Sequence, residues 1–409
     1  MVCTEYPPMQ GAAGWITAHL SKALRKLGVD VYIACNECGN GDFYGVSPTN
    51  VQNSQVLLKI VDDLKPDIVH IQFEAGLYGL VHDPKEPRKS WTYIDSFYTK
   101  CKTPIVTTIQ SAYSLKEWMR GPSANSDHAG AWIKKGGRTG IFGIPARALS
   151  RAPANCKNLY NDLLYYQSFK NLIKEKVRMS RASIVLSHHM SKIVGAGEVI
   201  YIGAEPAVSY PSNKNKARAK YSLPKNGQRI ALAIGFRTIN KGWDILERMD
   251  IPNGWMLVVN SNVKDYYNTQ SINFKWDMER SNIIDLKRGF LNDEELSMLF
   301  FAADAVVLPY RVTAGSAVMF NALGHGLPFV ASDLPSFKEF ADQGLGITVK
   351  RNPHGFSRGL EALNKDYSKY AKTVDAFKQK LKWDYVARQH ISIYDTLVDQ
   401  PTIRTEIKG

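Results

Sequence analysis

The sequence predicts an α/β protein made of two Rossmann-like domains, and three observations carry that prediction. The chain has 409 residues, the size of two ordinary domains rather than one. Near its start, an apolar run, a loop containing Gly11 and Gly14, a helix-periodic stretch and a second apolar run follow one another. That is the order of a strand–loop–helix–strand unit. The same order returns between Asp304 and Glu339, where residues 305–308 and 329–331 read as buried strands around a helical stripe.

Taken in order, residues 1–3 begin in the middle of a first strand, so an initiation site upstream is expected. Leu20, Leu24 and Leu27 then mark an amphipathic helix, and residues 29–33 the next strand. The glycine loop before the helix, residues 11–14, lacks G-x-G-x-x-G spacing, so no dinucleotide cofactor is expected. Residues 56–64 read as a helix and 66–72 as a strand. His70 and Glu74 stand at its C-terminal end, the ligand-facing edge of an open α/β sheet. His70 is also readable as a satisfied core residue, and Glu74 as a helix-start carboxylate. A strand over 104–109 leads into Gln110 and Ser111. Residues 113–156 are rich in Gly, Ser, Ala and Arg, and a loop of that length inside a domain is usually a lid or a binding segment. A helix over 157–179 and a strand over 182–187 follow. His188 and His189 open a short helix and have no ligand partner at metal spacing, which makes them structural or cleft-lining. Residues 199–205 close the first domain.

Residues 206–228 are polar and basic and read as a linker. The second domain starts with a strand over 229–234, ending in Gly235, Phe236 and Arg237, with Lys241-Gly242 just beyond. Strands are expected over 256–260, 282–286 and 346–349. Asn292 with Asp293, Glu294 and Glu295 is a helix cap followed by acids in the first turn. In the central unit, Thr313, Ala314, Gly315 and Ser316 form a small-residue loop before the helical stripe of Val318, Met319, Ala322 and Leu323. A helix start carries unpaired N–H groups and partial positive charge, so this loop is either a phosphate seat or an ordinary packed turn. Gly315 permits close approach of a ligand, and Ser316 adds a hydroxyl.

Composition narrows the classes. The chain is 44% hydrophobic and 22% charged, as in globular proteins. It has no apolar run of about 18 residues. Its five cysteines are odd in number and scattered, which points to a reducing cytoplasm. The net charge is +14, and residues 113–181 hold thirteen basic side chains against four acidic ones. Lys134, Lys135 and Arg138 stand at the centre of this patch. It suits an anionic lipid surface, a lipid diphosphate or an acidic polysaccharide, or is simply a solvated face. No nucleic-acid-binding motif accompanies it, so nucleic acid is not an expected partner.

These elements resemble the retaining family 4 (group 1 type) glycosyltransferases of the GT-B fold. The run from Gly326 to Ser332 matches that family's Gly-x-Pro-Val-Val-Ala-Ser element, and Gly235 with Lys241-Gly242 its Gly-x5-Lys-Gly element. The Glu-x7-Glu motif is degenerate: Thr313 and Asn321 stand where its two glutamates belong, and Gln110 where the family places a sugar-contacting His. The resemblance implies two domains facing across a cleft: an N-terminal acceptor domain (1–205), a linker (206–228), a nucleotide-sugar domain (229–382) and a terminal segment (383–409) packing back on the first. It implies a hexosyltransferase of polysaccharide biosynthesis. That enzyme would move sugar from a nucleotide diphosphate donor to a lipid-linked or polysaccharide acceptor, with retention and without metal. Lys241 and Gln110 would then be catalytic. Gly11, Ala12, Gly235, Arg237, Thr313, Ala314, Gly315, Ser316 and Asn321 would bind donor, and His70 and Glu74 acceptor. The implied location is cytoplasmic, peripheral at the inner membrane face. The altered motif positions leave open a catalytically silent protein that binds a nucleotide sugar or glycan.

Overall fold

The computed structural model describes residues 1–83, 86, 88–119, 152–225, 227–262 and 280–398. In chain order its elements are α1 (Ala12–Lys26), α2 (Asn53–Leu64), β1 (Val69–Phe73), β2 (Val81–His82), β3 (Ser90–Trp91), α3 (Asp95–Lys100), β4 (Ile105–Ile109) and α4 (Leu115–Trp118). Then come α5 (Ala152–Met179), β5 (Ala182–Val185), α6 (His188–Val194), β6 (Glu198–Val199) and α7 (Lys214–Lys220). The second half holds β7 (Arg229–Phe236), α8 (Trp243–Glu247), β8 (Trp255–Asn262), β9 (Ile283–Asp285), α9 (Asp293–Ala302) and β10 (Ala305–Leu308). It continues with α10 (Ala317–Gly324), β11 (Phe329–Ser332), α11 (Pro335–Ala341), β12 (Gly346–Val349), α12 (Pro353–Lys365), α13 (Tyr367–Phe377) and α14 (Trp383–Val398). Most of the basic loop expected over 113–156, including Lys134, Lys135 and Arg138, lies outside the described residues, as does 399–409.

Among the described residues the first half forms a parallel sheet in the order β1-β4-β5-β6. Two expected strands are reduced to single bridges beside β1: Val2 pairs with Ala34 and Ile71, and Ala34 with Phe43. The reason is local competition. The Asp42 carboxylate takes the Ile33 N–H at 2.7 Å, and Arg25 Nε donates to Val31 O at 3.1 Å, so the run 29–33 spends its backbone groups on side chains. Residues 199–205 likewise yield only β6, because the Ala204 N–H turns to Leu381 O at 2.7 Å.

The second half carries a parallel sheet ordered β12-β11-β10-β7-β8-β9. Alternation along its strands builds two apolar layers, since successive side chains point to opposite faces. Ile230, Leu232, Val258, Val306, Phe329 and Ala331 join the cluster that continues into the first half of the chain. Ala231, Ala233, Leu257, Val259, Val307 and Val330 pack against Trp243, Leu246, Phe356 and Leu360 on the other side.

The expected linker contains a capped helix pinned to the second sheet. Asn213 caps α7, and Arg218 donates to Ala302 O, Pro224 O and Gln228 O while pairing with Asp304 at 2.7 Å. The last helix, α14, returns to the first domain and packs on α1, with Trp383 against Trp15 and His19.

Candidate functional site

In a parallel sheet the loops after the strands gather at one edge, and ligands bind there. The second sheet's edge is basic. After β7, Arg237 donates to Ser261 Oγ from Nε at 3.1 Å and from the terminal nitrogen at 2.7 Å. The Lys241 ammonium lies over the Tyr310 ring, 3.9 Å from its centre. Gly242 has φ of 70° and backs onto Pro309, where a Cβ would come within 1.8 Å of the carbonyl oxygen. That approach fixes the turn carrying Lys241 against the end of β10. Asp244 then receives Arg311 and Arg351 at 3.0 Å each and Arg248 at 3.5 Å. Arg248, Arg311 and Arg351 thus share a single carboxylate, and Arg311 Nε is buried without a partner among the described residues. Such a rim attracts a polyanion.

Beside it, β10 leads into the loop before α10. The side chains of this loop are turned inward. Thr313 Oγ1 donates to Gly315 O at 2.5 Å, and Ser336 Oγ donates to Thr313 O at 2.9 Å. Ala314 is buried in the core. Ser316 Oγ accepts the Met319 N–H at 3.2 Å as the helix cap, so its hydroxyl is committed. Asn321 is 6% exposed and donates to Ala317 O at 3.1 Å, one turn back in its own helix. What the loop can offer a ligand is backbone: the N–H groups of Gly315 and Ser316 have no acceptor among the described residues. A Cβ added at Gly315 would meet only Leu186 Cδ1 of the first domain, at 3.8 Å. Packing therefore leaves this position open, and it lies where the two domains meet.

The first domain carries polar groups of its own at the ends of β1 and β4, Glu74 and Gln110 among them. The loop before α1 has a carboxylate of its own beside it. Glu5 Oε1 accepts the Ala13 N–H at 3.3 Å, and a Cβ on Gly11 would come within 2.0 Å of the same carboxyl group. Gly11 and Ala12 therefore shape a helix start that a carboxylate already faces. Gln10 Oε1 accepts from Asn262 Nδ2 at 2.8 Å and ties this loop to the end of β8.

His70 stands in β1 in the satisfied arrangement that is the alternative to acceptor binding. It is 2% exposed, with Nδ1 2.6 Å from the Tyr394 hydroxyl and Nε2 2.7 Å from Thr108 Oγ1. Both ring nitrogens are taken, so His70 fastens α14 to the sheet. Burial, then His390, holds its pKa well below the usual imidazole range. Glu74 sits at the end of β1 beside Ser111; burial raises its carboxyl pKa, with Glu5 adding to the rise and Ser111 opposing it. Gln110 Nε2 donates to Gln72 Oε1 at 2.6 Å, which leaves its Oε1 and its second N–H to present.

Sequence reasoning missed a third group. Glu117, 1% exposed, receives the Ser114 N–H and hydroxyl on Oε2, at 2.8 and 2.7 Å, and holds His189 Nε2 on Oε1 at 2.9 Å. Burial alone would raise the Glu117 pKa, but His189 and Ser114 together hold it below its ordinary value. Glu339 of the second domain accepts the N–H groups of His188 and His189, at 3.0 and 2.8 Å. The Ser-x-x-Glu capping box was visible in the sequence; its partner 72 residues away was not. Another bridge between the halves joins Asp293 to Trp15 Nε1 at 2.8 Å and to His19 Nε2 at 3.1 Å.

No protein-family model matches the chain. An uncharacterised glycosyltransferase of Methanocaldococcus jannaschii is 24% identical over 182 residues, which covers 42% of this chain and 45% of that protein. The chain thus matches less than half the length of this relative. Among solved structures, sucrose-phosphate synthase from Thermosynechococcus elongatus superposes with a TM-score of 0.65 at 12% identity, over 97% of this chain and 98% of that one. Anabaena HepE in complex with UDP-glucose superposes with a TM-score of 0.61 at 13% identity, over 97% and 98%. At such identities the likeness is one of fold: two Rossmann-like domains facing across a cleft, the GT-B architecture.

Proposed function

We propose that the chain is a glycosyltransferase that moves a hexosyl group from a nucleotide diphosphate donor to a lipid-linked or polysaccharide acceptor, with retention of configuration. One observation carries the reading. The Arg237–Lys241 rim and the unpaired N–H groups of Gly315 and Ser316 converge on the same edge of one sheet, opposite polar groups of the first domain. A nucleoside diphosphate needs cations and N–H donors in that combination. Preorganised charges also stabilise the diphosphate as the glycosidic bond breaks. Lys241 and Arg237 take that task in place of a metal ion, and Glu74 faces the acceptor. The descriptions of the relatives point the same way: one is a glycosyltransferase by name, and HepE is described with UDP-glucose.

The test is calorimetry with UDP, ADP and GDP. Lys241→Ala is expected to weaken the preferred diphosphate by about 1.5–3 kcal/mol, the scale of a charge-assisted hydrogen bond. Unchanged affinity in a folded variant would remove Lys241 from the site. Binding of nucleotide sugars with neither hydrolysis nor transfer would leave a binding protein instead of an enzyme.

Where the acceptor is lipid-linked, the protein works at the inner membrane face. No helix among the described residues is long and apolar enough to cross a membrane. The basic stretch 113–181 then supplies contact with anionic headgroups. The protein should sediment with vesicles containing phosphatidylglycerol and be released between low and physiological salt. Reversing Lys134, Lys135 and Arg138 should abolish that binding. Equal binding to neutral and anionic vesicles, or none to either, rejects the membrane contact.

A further inference from the structure

We propose that Arg248, Arg311 and Arg351 form a phosphate-binding site on the outer rim of the second sheet, beside the Lys241 turn and separate from it. The site does not depend on the transferase reading. Its three arginines come from different elements: Arg248 ends α8, Arg311 follows β10, and Arg351 follows β12. Asp244, inside α8, draws them together. Its Oδ2 accepts from Arg311 at 3.0 Å and from Arg248 at 3.5 Å, and its Oδ1 accepts from Arg351 at 3.0 Å. Trp243 and Leu246 of the same helix pack with Phe356 and Leu360, in the apolar layer on the face of the sheet away from the first domain. The Gly315 loop instead approaches Leu186 of that domain.

Charge in this cluster does not balance. Three guanidinium groups meet one carboxylate, an excess of two positive charges. Burial lowers the Arg351 pKa and Asp244 opposes the shift, while Arg311 and Arg248 lower it further. Cations held this close destabilise one another, and an anion with more charge than Asp244 relieves that repulsion.

Hydrogen bonding does not balance either. Arg351 spends Nε on Pro309 O at 3.0 Å and one terminal nitrogen on Asp244. Arg248 spends Nε on the Asp244 carbonyl at 3.0 Å. Arg311 spends one terminal nitrogen on Asp244, and its Nε is buried with no partner among the described residues. The Nη1 nitrogens of all three make no hydrogen bond among the described residues. A phosphate group offers several charged oxygens and takes guanidinium forks in pairs, which suits these spare donors. Solvent reaches the cluster: the side chains of Arg351, Arg311 and Arg248 are 24%, 31% and 65% exposed. The frame is already built. The Arg311 N–H donates to Asn240 O at 2.8 Å, and a Cβ on Gly242 would come within 2.9 Å of Arg351 Nη2. The phosphate is either the free ion or the phosphoryl group of a phosphorylated sugar.

Calorimetry on the full chain at low salt tests this, with inorganic phosphate in one arm and glucose 6-phosphate in the other. Phosphate should bind, and more weakly as chloride is added. Arg311→Gln should weaken it by about tenfold or more. Arg248→Gln, at the most exposed of the three, should weaken it by a smaller factor. Lys241→Ala should change it by less than about threefold, since the turn lies outside the cluster. Asp244→Asn should act in the opposite sense and tighten phosphate by about fivefold, because the carboxylate competes for the same cations. A cluster that only braces the fold would show no such gain. Tighter binding of glucose 6-phosphate than of phosphate assigns the site to a phosphorylated sugar; equal or weaker binding assigns it to the free ion. No binding of either by the wild type overturns the site. So does a loss in Lys241→Ala as large as that in Arg311→Gln, or weaker binding by an Asp244→Asn protein whose circular dichroism is native. If Asp244→Asn does not fold, the comparison of Arg311→Gln with Lys241→Ala decides. None of these results bears on nucleotide binding, which the diphosphate titrations test separately.

Discussion

Replacing Asp304 with Ala is expected to cost about 3–5 kcal/mol of stability, because it strands a buried guanidinium. Asp304 is 6% exposed and Arg218 is 5% exposed. One carboxylate oxygen accepts from Lys214 at 2.7 Å; the other accepts from Arg218 and from the Ile230 N–H, each at 2.7 Å. The same residue joins three parts of the fold: α7 in the connector, the start of β7, and the turn into β10. Its own carbonyl receives the Tyr367 hydroxyl at 2.9 Å. Asp304→Asn keeps an acceptor for the Ile230 N–H but loses the charge, so it should fall between the wild type and Ala. Urea unfolding followed by tryptophan fluorescence measures both. A loss under about 1 kcal/mol for Ala would mean that water reaches Arg218 and that the pair is not sealed.

Asp304 also shows what the sequence could and could not reveal. The apolar run of β10 was legible, whereas the connector read only as a polar linker, and their pairing spans 86 residues with no periodicity to announce it. Local signals carried through. Asn292 caps α9, with Glu295 reaching back to complete the box, as residue type and spacing predict. The two-layer alternation of the second sheet was present in its near-continuous apolar strands. Failures came where a side chain competed for the backbone, as at residues 29–33, or where a long-range partner claimed a polar group. His70 looks like a ligand residue at a strand end until Tyr394 arrives from the last helix. The site was half legible for the same reason. Backbone features such as the turn at Gly242 and the open position at Gly315 follow from small residues at fixed spacing. The inward turn of Thr313 and Asn321, and the pairing of Glu117 with His189, follow from tertiary packing alone.

Acidification from pH 7 to pH 5 is expected to remove about 2 kcal/mol of stability through each of two buried histidines, His390 and His325. Burial lowers the pKa of His390 to about 4, although its Nδ1 faces Val386 O at 2.8 Å. Burial likewise lowers His325 to about 4, with the Asn321 carbonyl opposing the shift. In the unfolded chain both imidazoles titrate at about 6.5. Between these values the unfolded state binds more protons than the folded one, so stability falls as pH drops from about 6.5 through about 4 and is fully present above that window. The two sites lie in different structural joints. His390 is in α14 beside His70, which fastens that helix to the first domain, and His325 closes α10 against Phe300 and Phe301. Urea unfolding at pH 7 and pH 5 gives the total. His390→Phe isolates one share, because the variant has no imidazole to titrate at that position whatever its stability at pH 7. Its pH 7 to pH 5 difference should shrink by about 2 kcal/mol. An undiminished difference in that variant would mean that His390 is already protonated in the folded protein, and that the helix tolerates the charge beside His70.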